Sequence, residues 1–503
     1  MKVRMRIGVT AKSHGGAAGN WLMPRAVVVI GAGISGLAAC LRLSSAANVS
    51  KIILLEASGH LGGWLQTTRT QEGAIFEHGP RGVRPMGIAG KNTLQMVTDL
   101  GLDNDVLPVT YGNEDSRNRY VFVGGKLCKL PSGFRTPFST HPPFSQPIIV
   151  SLLREPFIRR GKDQDESVHS FIGRRFGKEY ADIAADSLCR GVFAGDCRQL
   201  SVRSCFPVLS QAEKRFGSAV IGMIAGGGDG KDQCFTSRLI SRARRESWLQ
   251  WTLKQGLQTL PEAIQQELCR RGVEIHLNCP VQKLQQKADG AWEVQLDGGT
   301  VNADHIFSSV PAKVLSRVLP PIWEPLCESL RKIASVSVAV VNLEYEGLVL
   351  PVSGFGHLIP SHESSEILGV VYDSCSFPQQ DRVGPPTTRL TVMMGGSWFQ
   401  ESFGDPDTVP QGHLLQRALD TVQNHLGITQ KPLQSISKVH KDCIPQYTLG
   451  HSELLDTIFG SIDKHHLALS LIGASYRGVS VNDCIYEAQR SVDRLLGLTQ
   501  QPR

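Results

Sequence analysis

Three glycines carry the strongest chemical signal in this chain. Gly31, Gly33 and Gly36 stand as G-x-G-x-x-G directly after the apolar run 27–30. That pattern suits a dinucleotide pyrophosphate. The first glycine makes a tight turn, the second lets the backbone approach the phosphates, and the third lets the following helix pack close to its sheet. The helix start offers unpaired N–H groups to the same anion. A carboxylate able to accept a ribose hydroxyl follows at Glu56, twenty positions after Gly36, where a second apolar run, KIILLE, ends.

The elements that must hold these residues are legible around them. The run 27–30 reads as a buried parallel strand, Ala38, Ala39, Leu41 and Leu43 continue as a helix, and KIILL is the next strand. Strand, loop, helix, strand and acid in this order predict a Rossmann-like unit; a glycine-rich turn with an empty pocket is the structural alternative. The fingerprint alone does not choose between dinucleotides. Near the C-terminus, LALSLIGASYRGVSVNDCI reads as a strand ending at Gly473, a loop through Gly478 and a helix from about Val481. Asn482 and Asp483 lie in its first turn, where a helix N-terminus favours negative charge on a facing ring.

Composition bounds the rest. With 503 residues the chain predicts two to four domains. The formal charge of +7 is too mild to imply nucleic acid. Twelve cysteines are scattered without C-x-x-C or metal spacing, so neither a disulfide framework nor a metal site is expected. No apolar run is long enough for a transmembrane helix. The leader 1–22 carries basic residues and no acid; it reads equally as a targeting segment or as an alternative start ahead of Met23.

The doublet Gly62 and Gly63, and the pairing of elements at both chain ends, resemble the flavin-dependent amine oxidase superfamily. Its usual arginine after the doublet is Trp64 here. LGGWLQTTRTQEGAIFEHGPRGVRP, DSLCRGVFAGDCRQLSVRSCFP, GFGHLIP, CIPQYTLGH and GVSVNDCI narrow the resemblance to the animal protoporphyrinogen oxidases, from Met23 to the C-terminus.

The resemblance implies FAD, protoporphyrinogen IX and molecular oxygen. The reaction would yield protoporphyrin IX and hydrogen peroxide in three two-electron rounds, at the penultimate step of haem synthesis. It implies a homodimer bound to one leaflet of the inner mitochondrial membrane on the intermembrane-space side, and contact with the terminal haem-synthesis enzyme. FAD would meet Gly31, Ala32, Gly33, Ile34, Ser35, Gly36, Glu56, Trp64, Gly79, Pro80, Arg81, Gly82, Val281, Val481, Asn482 and Asp483. Substrate would meet Arg81, Arg119, Leu188, Gly191, Phe355, Gly356, Leu358 and Val371. Guanidinium groups suit the substrate's two propionates. For Arg81 a structural salt bridge is the alternative, and for Arg119 a solvated loop. His78, His169 and His357 show no partner in the sequence and read as packed or surface histidines. No general base is assigned, since the flavin can take a hydride itself.

The expected architecture is mixed α/β. A discontinuous FAD domain takes 23–110, 225–305 and 430–503; a mostly helical membrane-binding insert takes 111–224; a mixed-sheet substrate domain takes 306–429. Leu257, Leu260, Ile264 and Leu268 recur at helical spacing, and VEIHLNCPVQKL reads as one strand. In the insert, Phe134, Phe138, Phe144, Ile148, Ile149, Leu152, Leu153 and Phe157 alternate with Arg135, Arg154, Arg159 and Arg160, and Glu155 is the sole acid. That composition suits a membrane surface, or a helix packed on its neighbour. Two other functions fit the fold: an amine or polyamine oxidase, and a non-enzymatic escort of prenylated GTPases. The escort needs a degraded nucleotide loop, and here the glycines are intact.

Overall fold

The computed structural model describes residues 24–498 apart from 48, 114–117, 132–137, 162 and 226–234. The leader 1–22, Met23, Phe134 and Arg135 lie outside the described residues. Strands Leu469–Leu471, His305–Ser308, Ala26–Ile30, Lys51–Leu55 and Glu274–His276 form a five-stranded parallel sheet in that order. Both faces are covered, which is why its strands are continuous apolar runs. Val27, Val29, Ile52, Leu54 and Phe307 face helices Ile34–Leu43, Thr259–Arg270 and Val481–Leu495. Val28, Ile30, Ile53, Leu55 and Ile306 face helices Ala312–Val318, Glu324–Arg331 and His451–Lys464 and a three-stranded antiparallel sheet. Each fully buried aliphatic side chain contributes about 1.5–3 kcal/mol.

VEIHLNCPVQKL is two strands, not one. Asn278 turns with φ 52°, a conformation asparagine tolerates. Glu274–His276 therefore joins the parallel sheet, while Val281–Gln286 starts the three-stranded one.

A seven-stranded mixed sheet forms the second layer. Its order is Gln434–Pro445, Ser335–Glu346, Thr387–Gly396, Ile367–Tyr372, Gly356–Leu358, Arg119–Val123 and Lys126–Lys129. All neighbours are antiparallel except Gly356–Leu358 with Arg119–Val123. Helix Gln411–Leu426 buries Leu414, Ala418 and Val422 in the same core as this sheet. The expected divisions at 111, 306 and 430 do not follow sheet membership. Strands 119–123 and 126–129 extend this sheet from within the segment read as helical insert. Strand 434–445 joins it from a segment assigned to the nucleotide domain, and helices 312–318 and 324–331 pack on the parallel sheet. A short strand shows its own period in sequence but not its partner.

The helical insert is closed by a buried ion cluster. The Arg175 guanidinium donates to Glu155 at 2.9 Å, and also to Glu213. Glu155, the sole acid of that stretch, is fully buried and accepts from the Ala219 N–H at 2.8 Å. A carboxylate can lie there only because an arginine and a helix start neutralise it. Among the described residues no helix is long and apolar enough to cross a membrane.

Candidate active site

The three glycines do three different jobs. Gly31 sits at φ 93°, and a Cβ there would lie 2.7 Å from Ser309 Oγ. A Cβ on Gly36 would lie 2.0 Å from the Gly31 carbonyl oxygen, so the first helical turn rests on the loop. Gly33 is the opposite case: nothing lies within 4 Å of the position its Cβ would take. It is the N-cap of helix Ile34–Leu43, with no side chain capping it and no acid in the first turn. The helix N–H groups therefore face open space rather than protein, as a phosphate cradle must. The doublet completes the rim. The Gly62 N–H donates to the Ala32 carbonyl at 2.8 Å, and a Cβ on Gly63 would be 3.1 Å from Gly33 Cα. Ser35 is buried in the helix's first turn and Ile34 is half-buried.

Glu56 clamps this loop. Its carboxylate accepts from the Ala32 N–H at 2.7 Å and from the Ser58 N–H and Oγ–H at 2.8 Å. A carboxylate has about four lone-pair sites, so capacity for a ribose hydroxyl remains. Val281 opens its strand close by: the Cys279 N–H, two residues earlier, donates to the Glu56 carbonyl at 2.8 Å.

The far end of the chain folds back onto this unit. Helix Val481–Leu495 packs along helix Ile34–Leu43, fastened by Arg42 Nε to Asp493 at 2.6 Å. Ser480 caps it, accepting from the Asp483 N–H at 3.2 Å. Asn482 donates to the Arg84 carbonyl at 2.8 Å, and its Oδ1 is buried with no partner among the described residues.

Arg81 repeats that pattern. It is buried, and its Nη1 donates to Asp373 Oδ1 at 2.8 Å while Nη2 has no partner among the described residues. The salt-bridge reading therefore holds, and a donor is left over. Asp373 in turn accepts from Thr391 Oγ1 at 2.6 Å, and Thr391 accepts from Asn342 Nδ2 at 2.8 Å. Two buried polar atoms without partners among the described residues, Arg81 Nη2 and Asn482 Oδ1, together with the glycine cradle fit a bound dinucleotide with a polar ring edge. Gly79 lies tight on Trp64: a Cβ would meet the Trp64 carbonyl oxygen at 2.0 Å. Trp64 itself is 40% exposed and edge-on to His440 at 5.2 Å. Pro80 is exposed and Gly82 half-buried beside Gln250.

The expected substrate residues come together on the short strand Gly356–Leu358. Gly356 stands opposite Arg119 on one side and Val371 on the other. Only glycine fits: φ is 145°, and a Cβ would lie 2.3 Å from the Val370 carbonyl oxygen. The Arg119 guanidinium lies 4.0 Å over the Phe355 ring. Burial lowers its pKa to about 10, with the neighbouring Arg84 adding to the effect. Helix Asp186–Phe193 closes the wall, since a Cβ on Gly191 would sit 2.8 Å from Leu358 Cδ2. Leu188, one turn earlier, is exposed. Val371 and Asp373 are two residues apart, so the partner of Arg81 comes directly after the strand Ile367–Tyr372 that carries this wall.

Asp373, Thr391, Asn342 and Arg84 were not anticipated. An acid directly after the apolar run VVY was the available signal for Asp373. The histidines do have partners. His78 bonds Asn342 at 3.1 Å and Thr68 at 2.7 Å. His169 meets Asp182 at 2.8 Å. His357 bonds Tyr372 at 2.8 Å and His425 at 3.0 Å. Burial lowers His78 to about 4 and His357 to about 3.

On the insert, Phe138, Leu153 and Phe157 are exposed, while Ile148, Ile149 and Leu152 are half-buried. Phe144 does not join that surface: it is buried, stacked on Tyr180 at 4.6 Å. Ile221, Met223 and Ile224 of helix Ala219–Ala225 are exposed as well and were not anticipated.

The sequence matches the flavin containing amine oxidoreductase family over residues 34–496. It is 49% identical to protoporphyrinogen oxidase of Bos taurus, over 94% of this chain and 99% of that protein. It is 48% identical to that of Homo sapiens with the same coverage. A crystal structure from Exiguobacterium, provisionally assigned as a protoporphyrinogen oxidase, superposes with a TM-score of 0.77 at 22% identity, over 94% of this chain and 99% of that one.

Proposed function

We propose, on the premise that this chain belongs to the protoporphyrinogen oxidases within the flavin containing amine oxidoreductase family, that it oxidises protoporphyrinogen IX to protoporphyrin IX in three two-electron rounds with oxygen as acceptor. The step is the penultimate one of haem synthesis. When bound, FAD supplies the two-electron acceptor, and oxygen carries the electrons away as hydrogen peroxide.

The chain's part is to bind, orient and exclude. The N–H groups at Gly33, Ile34 and Ser35 would hold the pyrophosphate between the walls built by Gly31, Ala32 and Gly36. Glu56 would hold the ribose and Val281 the adenine side. Trp64, Gly79, Pro80, Arg81, Gly82, Val481, Asn482 and Asp483 would surround the ring. Arg119 and Arg81 would orient the propionates. Phe355, Leu358, Val371 and Leu188 would cover the apolar macrocycle, and Gly191 and Gly356 keep that wall flat. The side chains on this wall are apolar or guanidinium, so no residue is assigned as a base.

The observation that carries the reading is the apolar wall with the Arg119 guanidinium stacked on Phe355. A cationic amine would be repelled there, whereas a flat apolar dianion is held at both edges. For location we propose the inner mitochondrial membrane, facing the intermembrane space. The protein would be a homodimer held in one leaflet and adjacent to the terminal enzyme of the pathway. Exposed Phe138, Leu153 and Phe157 beside Arg154, Arg159 and Arg160 support the membrane contact.

The test is direct. Purified protein should show a flavin absorption spectrum and, given protoporphyrinogen IX in air, porphyrin fluorescence growing faster than autoxidation with peroxide released. A flavin spectrum with turnover of amines instead would move the assignment to the amine oxidases. A colourless protein would favour the escort reading.

A further inference from the structure

We propose that a cavity in the helical insert binds the phosphate headgroup of an anionic phospholipid; this rests on the membrane-surface reading above. The cavity, of about 330 Å³, lies between helix Ile148–Arg154 and the end of helix Val168–Phe176. That is within the size of small-ligand sites, about 300–1,000 Å³. Four cations line it, Arg154, Arg174, Arg175 and Lys178; the first and the last are the ones open to an anion. Both are exposed, and neither takes part in an ion pair among the described residues.

The other charged groups of the lining are committed. Arg174 bonds Glu166 and Glu213, and Arg175 bonds Glu155 and Glu213. Glu179 accepts from the Ser145 N–H at 3.0 Å and Oγ–H at 2.9 Å. The carbonyl end of helix Val168–Phe176 is occupied too: Phe176 O accepts from Ser151 Oγ at 2.9 Å and Gly173 O from the Gly177 N–H at 3.1 Å. Glu179 keeps its own charge, so what the lining offers an anion is Arg154 and Lys178, its two cations without an ion-pair partner among the described residues.

The neighbouring surface says which anion. Val150 lines the cavity, and Leu153 and Phe157 follow it at spacings of three and four around Arg154; all three are exposed, Phe157 at 87%. A phosphate in the cavity would thus sit at the level where apolar side chains leave the protein. A lipid offers that combination and a free phosphate does not. Aromatic and aliphatic anchors with cations at the headgroup level are the physical signature of an interfacial site.

Flotation of the full-length, flavin-loaded protein with vesicles tests this. Vesicles of phosphatidylcholine alone are compared with vesicles containing phosphatidylglycerol. The wild type should bind both, and the anionic ones about tenfold or more tightly. Arg154→Gln with Lys178→Gln should abolish that preference and leave phosphatidylcholine binding and flavin content unchanged. Arg159→Gln with Arg160→Gln removes the same charge outside the cavity and should reduce the preference far less. Equal losses in the two double variants would mean a diffuse basic surface and overturn the site. So would competition by soluble glycerophosphate as effective as the vesicles. Binding to phosphatidylcholine without any anionic preference would overturn the headgroup site but keep the membrane reading; no binding to either vesicle overturns both.

Discussion

Buried Arg81 and half-buried Asp373 form an ion pair at 2.8 Å in which only one end of the guanidinium is used: Nη1 donates to the carboxylate and Nη2 donates to nothing among the described residues. Asp373 is locked from behind by Thr391, and Thr391 by Asn342. The pair is thus neutral as a unit and aims a spare donor away from its own partner. If that donor meets the flavin, the two charges must tune it in opposite senses. Asp373→Asn leaves the cation unbalanced, favours the negatively charged reduced ring and should raise the flavin midpoint potential. Arg81→Leu leaves the anion and should lower it. Dye-equilibrated reductive titration of the holoenzyme measures both, and shifts of the same sign would refute the pairing. Asp373→Ala, which also breaks the link to Thr391, should cost about 3–5 kcal/mol of stability.

Gly33 and Gly36 should fail in different ways. A side chain at Gly33 meets no protein atom within 4 Å, and the backbone there is extended, with φ −65°. Gly33→Val should therefore fold with near-normal stability and lose flavin, because the side chain fills the cradle. Gly36→Ala puts a Cβ 2.0 Å from a backbone oxygen that cannot move without the loop. It should lower the stability of the flavin-free protein itself by about 1–3 kcal/mol. Calorimetry of the two flavin-free variants checks the contrast. A destabilised Gly33→Val would mean that the space beside Gly33 is needed by the protein and not by a ligand.

The same contrast shows what the sequence makes legible. Gly31, Gly33 and Gly36 could be read because their demands are local: turn, approach and packing all lie within one loop. The wall around Gly356 was reached by resemblance and not by pattern. Its neighbours Arg119, Val371 and Gly191 come from three distant segments, and pairing across a sheet leaves no period in the chain. The expected divisions at 111 and 430 cut across the sheet that strands 119–123 and 434–445 join for that reason. Asp373 went unread because an acid after a strand looks like any loop start. Its meaning comes from Arg81, 292 positions away. The burial of Glu155 left no mark in the sequence, because it is decided by Arg175 and the helix that begins at Ala219, not by its basic neighbours in the chain.

Buried histidines set the acid limit of the fold. Burial lowers His357 to about 3 and His78, His305 and His425 to about 4, from an ordinary value of 6.5. Each is neutral in the folded protein and protonates on unfolding below about pH 6.5. The unfolded state thus binds more protons, and stability must fall as pH drops from 6.5 towards 4. Glu77 works in the other direction. Burial lifts its carboxyl to about 7, so its contribution is complete below 4.5 and is lost as pH rises through 7. Urea unfolding across this range should show His357→Gln flattening the acid limb and Glu77→Gln flattening the loss above pH 5. An unchanged acid limb in His357→Gln would mean that the His357–His425 contact does not force both rings neutral.

Arg119 and Gly356 face each other across one strand pair and should separate binding from shape. On the proposed role, Arg119→Ala would remove a charge-assisted bond to a propionate, about 1.5–3 kcal/mol, or about 10–100-fold in KM. The flavin should stay, since Arg119 lies on the strand Arg119–Val123 of the seven-stranded sheet, outside the glycine loop. Because its guanidinium also stacks on Phe355, Arg119→Lys should recover part of the loss as charge, while Arg119→Met should recover packing but not binding. Gly356→Ala acts on the wall itself: with φ at 145° and a Cβ 2.3 Å from Val370 O, the strand must shift away from Val371. That change should lower kcat and raise KM together, because the apolar face no longer presents one plane to the macrocycle. Steady-state fluorescence kinetics on the four variants gives the split. An Arg119→Ala enzyme with wild-type KM and reduced kcat would move Arg119 from holding the substrate to assisting the chemical step.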